Sequence, residues 1–221
     1  MYFDIASDEI SLPFHLIFVC ILCKRSIFQN LYRRTMPLIL FNKPFQVMCQ
    51  FSPHPTRPSL ADYLDIPGVY PAGRLDADSE GLLLLTDDGK LQHAISHPDH
   101  KQKKTYLAQV EGIPDADVLA RLRAPLDLGD FITQGCEVKR VQEPEWLWLR
   151  NPPIRERAQV PTSWLAITLA EGKNRQVRRM TGAVGLPTLR LIRIAIGAIS
   201  LQSHPLLPGE SREISASELG L

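Results

Sequence analysis

Four consecutive leucines, Leu82–Leu85, lie between a loop crowded with charge, Gly73-Arg74-Leu75-Asp76-Ala77-Asp78-Ser79-Glu80-Gly81, and a polar stop, Thr86-Asp87-Asp88-Gly89. A short continuous apolar run bounded by turn signals reads as a strand buried on both faces. Such a strand needs cover on each side, so the chain must build a layered sheet that carries the charged loop at the strand's entry. Loops held on rigid strands are where catalytic groups concentrate. Asp76, Asp78 and Glu80 are three carboxylates within five residues. They repel one another, so at least one needs a strong cationic partner or a raised pKa. The plainer reading of this segment is a polar turn closed by an Asx-type hydrogen bond.

The remaining segments supply strands and helices in irregular order. Pro37–Asn42 and Val47–Phe51 read as strands joined by a turn at Lys43-Pro44. Ser59–Leu64 reads as a short helix capped by Ser59, and Asp87–His97 has helical character. Val69–Ala72, Lys104–Gly112, Cys136–Val141, Trp146–Leu149, Trp164–Leu169 and Thr188–Ile196 read as strands. Asp115–Arg123 has helical spacing, and Asn174–Val184 is a helix ended by Gly185. Asn151–Pro161, rich in proline and arginine, is a loop. This mixture predicts an α+β fold with a largely antiparallel sheet. Neither a G-x-G-x-x-G nor a Walker loop occurs, which argues against a nucleotide cofactor.

Charge is informative by its distribution. The chain has 25 Lys and Arg against 24 Asp and Glu, a formal net charge of +1. Yet from Gly172 to Gly209 there is no acidic residue, while Lys173, Arg175, Arg178, Arg179, Arg190 and Arg193 all fall there. A block of one sign points to a positive surface facing an anionic partner; the plainer reading is a solvated helix face. Arg150, Arg155 and Arg157 invite the same two readings. Four scattered cysteines do not make a disulfide framework. Cys20 and Cys23 lie in an apolar run, where cysteine acts as a small hydrophobe. That run, Leu12–Cys23, is too short to span a bilayer, and three acids precede it, unlike a secretory signal. Residues 1–35 are read as an extension with no part in catalysis, either a wrongly assigned upstream start before Met36 or a short basic arm. Residues 36–221 are the working domain. His97-Pro98-Asp99-His100 lacks a fourth ligand at metal spacing and reads as a surface loop.

GRLDADSEGLLLLTDDG resembles the central motif of the RNA pseudouridine synthases, in the branch that modifies ribosomal RNA at single sites. Two further motifs follow in that family's order. Lys104-Thr105-Tyr106-Leu107 resembles its K-x-Y segment, and Glu171-Gly172-Lys173-Asn174-Arg175-Gln176-Val177-Arg178-Arg179-Met180 resembles its third motif. Within the branch, Trp146-Leu147-Trp148, Arg150–Arg157, Val160–Leu165 and Pro187–Arg193 are similar to the E-type enzymes of large-subunit ribosomal RNA. Those enzymes lack the separate small RNA-binding domain of most relatives, as residues 1–35 do here. The resemblance implies the pseudouridine synthase fold, with a catalytic cleft across the sheet, and isomerisation of one uridine in large-subunit ribosomal RNA. The scattered cysteines read as cytosolic (cytoplasmic), nothing in the sequence points beyond a monomer, and an isomerisation that gains or loses no atoms needs no metal or cofactor.

By motif position the resemblance makes Asp76 the nucleophile and Tyr106 the residue that stacks on the target base. It makes Arg178 the cation paired with Asp76, and Val177 the apolar lining of the pocket. Arg74 enters the gap left by the flipped nucleotide, while Lys173, Arg175, Arg179, Arg190 and Arg193 grip RNA. The chemistry suits these residue types. Uracil is detached from its ribose, turned and rejoined through C5, so no atom is gained or lost. A carboxylate in a closed pocket must stay ionised, and a nearby arginine opposes the effect of desolvation. Whether Asp76 attacks the sugar or takes a proton from it is open at this stage. Two rival readings stand beside this one: a non-catalytic ribosome-assembly protein on the same fold, and a glycosidase pairing Asp76 with Asp78 or Glu80. Taken singly, Tyr106 could be an inward strand residue and Arg178 a solvated cation.

Overall fold

The computed structural model of the protein describes residues 37–96, 102–154, 157 and 159–220. Cys20, Cys23, the 12–23 run, residues 97–101, Arg155 and Glu156 lie outside the described residues. Among the described residues there are nine strands: β1 (Leu38–Lys43), β2 (Tyr70–Pro71), β3 (Glu80–Thr86), β4 (Lys104–Glu111), β5 (Glu137–Val141), β6 (Thr162–Leu169), β7 (Thr188–Ile196), β8 (Ile199–Ser200) and β9 (Ser211–Ile214). They form one sheet in the order β5-β6-β4-β7-β3-β1-β9, with β2 beside β3 and β8 beside β7. The helices are α1 (Gly89–Ser96), α2 (Ala116–Arg123) and α3 (Gln176–Ala183). Pairing is antiparallel except between β3 and β7.

The leucine run is buried on both faces for a simple reason of periodicity. Successive side chains of a strand point to opposite faces. Leu82 and Leu84 pack with Leu38, Leu40, Ile95 and Ile196 on one face. Leu83 and Leu85 pack with Ile39, Phe41, Val47 and Leu60 on the other. The antiparallel register Leu38↔Thr86 to Lys43↔Gly81 brings the two sets together. A third cluster joins β4 and β6 to α2 and α3 through Ala108, Val110, Leu165, Ile167, Leu122, Val177 and Met180.

Two expected strands do not form. Val47–Phe51 makes one isolated parallel bridge, Met48↔Ser59, because Gln46 has a left-handed φ of 66° that turns the chain before it. Trp146–Leu149 forms no strand: Glu145 and Trp146 make a turn in which the Leu147 amide donates to the Pro144 carbonyl at 3.0 Å, and the chain beyond is irregular. The Ser59 turn is a single 3-10 turn, Leu60–Asp62, closed by a capping box with Asp62. Sequence periodicity did not reveal β9, whose residues are mostly exposed at the sheet edge.

The seam between β3 and β7 positions the site. The two strands pair through Glu80↔Ile192 and Gly81↔Arg193. Gly81 has φ +101°, and a Cβ there would lie 2.3 Å from the Arg193 carbonyl oxygen. Any side chain would force the seam open, so the glycine after Glu80 is a requirement of backbone approach.

Candidate active site

The loop from Ala72 to Ser79 rises into β3. Leu75 anchors it in the core, buried with Tyr106 and Val177. Lys43 lies beneath it, wholly buried at the end of β1. Its ammonium donates to the carbonyls of Val47 at 2.9 Å, Pro44 at 3.0 Å and Ala77 at 3.4 Å. The Gln46 amide also donates to the Ala77 carbonyl, at 2.7 Å. The middle of the acidic loop is therefore pinned from below. Burial pushes the Lys43 amine down to about 8, against the opposing pull of Cys49, Glu80, Asp78 and Asp76. Sequence reasoning placed Lys43 in a turn with Pro44, whereas it is the buried last residue of β1; a lysine closing the apolar strand LILFNK was the visible signal.

The three carboxylates have separate fates. Glu80 is buried and forked by Arg190, with Nε at 2.8 Å and Nη2 at 2.9 Å. The Trp148 indole N–H donates to the same carboxylate at 2.8 Å. Asp78 is forked by Arg175 at 3.0 and 2.8 Å. Burial raises the Asp78 carboxyl, but the Arg175 hydrogen bonds and the Arg178 and Arg175 charges outweigh it and hold the group below its ordinary value. Asp76 keeps one long contact, to Arg175 Nη1 at 3.5 Å, and its side chain is 40% exposed. Among the three, Asp76 alone lines the first cavity described below.

The expected Asp76–Arg178 pair is not made directly. Arg178 donates from Nη2 to the Asp78 carbonyl at 2.7 Å and from Nη1 to the Thr188 carbonyl at 3.3 Å. Its Nε lies 3.5 Å from the Asp78 carboxylate. The cause is local backbone. Arg175 precedes α3 in the left-handed region, φ 48°, and swings over the loop, whereas Arg178 sits within the helix and is held against the backbone. Its charge still reaches Asp76 at longer range.

A cavity of about 370 Å³ opens beside Asp76. Tyr106 and Val177, both buried, form apolar wall, and Lys104, Lys173 and Arg193 contribute cations. A second cavity of about 550 Å³ lies against Cys49, Arg57 and Asp78. Arg74, Leu75, Asp76, Asn174 and Arg175 line both, so this ridge divides the cleft. Arg74 is exposed on it. Lys104 was legible in the K-x-Y segment but its place in the cavity was not.

Several cations assigned to RNA are otherwise engaged. Arg190 is 4% exposed and pairs with Glu80, so it cannot grip a phosphate. Arg193 is also 4% exposed; its Nε donates to the Leu82 carbonyl at 2.7 Å. Arg179 forks Asp130, donates to the Leu128 carbonyl at 2.6 Å and stacks on Phe131. The basic block thus serves mainly to tie loops to the sheet. Lys173 stays exposed at the cavity rim. The remaining thiols are poor nucleophiles: burial raises both, Cys136 to about 11.

The sheet is thus largely antiparallel, with Asp76 just before β3, Tyr106 on β4, and Arg175 and Arg178 at the start of α3. A family model for RNA pseudouridylate synthases matches residues 37–183. The chain belongs to this family. It is 51% identical over 178 residues to "Ribosomal large subunit pseudouridine synthase E" of Vibrio vulnificus (strain CMCP6), covering 80% of this chain and 75% of the relative. It is 54% identical over 177 residues to the protein of the same name from Xanthomonas campestris pv. campestris, covering 79% and 94%. Among solved structures it resembles one described as "Crystal structure of pseudouridylate synthase", with a TM-score of 0.69 and 27% identity over 86% of this chain and 74% of that one.

Proposed function

We propose that this enzyme converts one uridine of large-subunit ribosomal RNA to pseudouridine, with Asp76 as its catalytic carboxylate. The observation that carries this reading is the isolation of Asp76. Its two acidic neighbours are neutralised by forked arginines, while Asp76 faces the cavity with a single long ion contact. The same distribution weighs against a glycosidase pair, since Glu80 is buried in an ion pair and Asp78 does not line the Asp76–Tyr106 cavity.

The roles follow from position. The target base leaves the RNA stack at a cost of a few kcal/mol. Tyr106 recovers part of it by stacking on the uracil, typically ~1–3 kcal/mol per base. Val177 closes the apolar side. Arg74, exposed on the ridge, fills the gap left in the RNA. Arg175 sets the position of the Asp76 carboxylate through its 3.5 Å contact, and Arg178 braces the same loop through Asp78. Lys173 at the rim meets the phosphate backbone, so affinity falls as salt rises. Substrate is taken up by a monomer, and no step requires a metal or cofactor.

The test is an assay on large-subunit ribosomal RNA lacking this modification, with wild-type protein and Asp76→Asn side by side and no added metal or nucleotide. Wild type is expected to make pseudouridine at one position. Asp76→Asn is expected to lose turnover by on the order of 10⁴-fold or more while keeping its RNA affinity. Tight RNA binding by wild type with no product would favour the assembly-protein reading. Normal turnover by Asp76→Asn would remove Asp76 from the chemistry.

A further inference from the structure

Arg193 is the buried cation that the fold does not explain. It sits on β7 opposite Tyr106 of β4 and Gly81 of β3. Its Nε is taken by the Leu82 carbonyl. Its Nη2 is buried without a hydrogen-bond partner. Among the described residues no carboxylate forms an ion pair with it. A guanidinium is always charged, and burying one with an unused donor is costly. Arg190, three residues earlier on the same strand, shows the ordinary solution: a carboxylate on both donors. Arg193 is among the residues lining the cavity that holds Asp76, Tyr106 and Lys104.

We propose that Arg193 is a further catalytic residue, whose guanidinium, paired with no carboxylate, donates to a ring oxygen of the uracil while the glycosidic bond is broken. When C1′–N1 cleaves, its electron pair stays on the base, and the negative charge spreads over N1 and the ring oxygens. This holds whether Asp76 attacks the sugar or removes a proton from it. Arg193 transfers no proton; its hydrogen bond lowers the energy of the charged leaving group and of the same anion as it turns. A preorganised donor aimed at developing charge in a site closed to water is the arrangement expected to accelerate the step. Burial favours the base over a phosphate as the occupant. The base is the part of the nucleotide that must enter, and the cross-strand neighbour of Arg193 is the tyrosine on which it stacks. Lys104 lines the same cavity.

The inference rests on the reading of this cavity as the uridine site, and the experiment separates the two. Wild type, Arg193→Lys and Arg193→Met are compared in single-turnover reactions on ribosomal RNA, with RNA affinity measured in parallel as evidence of folding. Arg193→Met is expected to slow turnover by on the order of 100-fold or more with affinity within about threefold of wild type, and Arg193→Lys to recover part of the rate. In a second arm, RNA carrying 2-thiouridine or 4-thiouridine at the target is given to wild type, which needs no variant to fold. One of the two thio-substitutions should slow wild type and have little further effect on Arg193→Met. Turnover within threefold of wild type in both variants would overturn the inference. So would a loss confined to affinity with an altered salt dependence, which would mark a phosphate contact. Equal thio effects in wild type and Arg193→Met would also overturn it. Absence of product from wild type on unmodified RNA would instead remove the uridine-site reading itself.

Discussion

At one end of the cleft, Arg175 and Arg178 pair with the acidic loop, through Asp78 and its backbone and more distantly Asp76; Arg178 Nε makes no hydrogen bond but lies 3.5 Å from the Asp78 carboxylate. At the other end, Lys104 and Arg193 line the same cavity, and Arg193 keeps a buried donor unused. The same residue type therefore does two jobs within one strand and one helix. The paired end sets the loop's shape and places the Arg175 guanidinium 3.5 Å from the Asp76 carboxylate. The unpaired end holds positive potential where the substrate must bring its own negative charge. An ion pair completed within the protein is structural, whereas one left incomplete is addressed to a ligand.

The sharpest way to break this comparison is to make Arg190 resemble Arg193. Glu80→Ala leaves the Arg190 guanidinium buried and unpaired and orphans the Trp148 indole N–H. The expected loss is about 3–5 kcal/mol of stability, read by urea denaturation. A loss below about 1 kcal/mol would show that the fold tolerates an unpaired arginine on β7, and the state of Arg193 would then carry no message. Next, Arg178→Ala removes charged hydrogen bonds to two carbonyls and should cost about 1.5–3 kcal/mol, with a fall in turnover as the loop loosens. Arg175→Ala breaks a half-exposed pair. Its stability cost should be no more than about 1 kcal/mol, so a fall in activity in that variant reports on Asp76 rather than on the fold.

The smallest expected effect is a change of slope with pH. The Lys43 amine is held at about 8 in the folded protein against 10.5 ordinarily. Between those values the unfolded chain binds more protons than the folded one, so this lysine's contribution to stability grows as pH rises. Comparing stability against pH for wild type and Lys43→Met should show that rise in wild type alone, from about 8 upward. Parallel curves would mean that Lys43 keeps its charge despite its burial.

Much of the fold was legible because local rules governed it. Thr188–Ile196 was read with the bounds that β7 has, and Leu82–Leu85 is the doubly buried centre of β3. Asp115 caps α2 through the Val118 amide at 2.8 Å, as a helix-start signal should. The failures have two physical sources. Val47–Phe51 has strand-like composition, but a left-handed residue before it turns the chain away from any partner strand. The polar edge strand β9 is defined by pairing with β1 through the backbone, which leaves no apolar rhythm to read.

The amino-acid sequence by itself determined the family, the order of its three motifs, and the loop that presents Asp76 at the start of a buried strand. These depend on residue type and short spacing. The tertiary structure alone decided which cation meets which carboxylate. Asp78 and Arg175 are 97 residues apart, and Glu80 and Arg190 are 110 apart. A run of arginines in the chain states a quantity of charge. Whether each one faces solvent, a carboxylate or an open cavity is set by the register of β3 against β7 and by the turn into α3, because electrostatic pairing depends on distances in space that strand register creates.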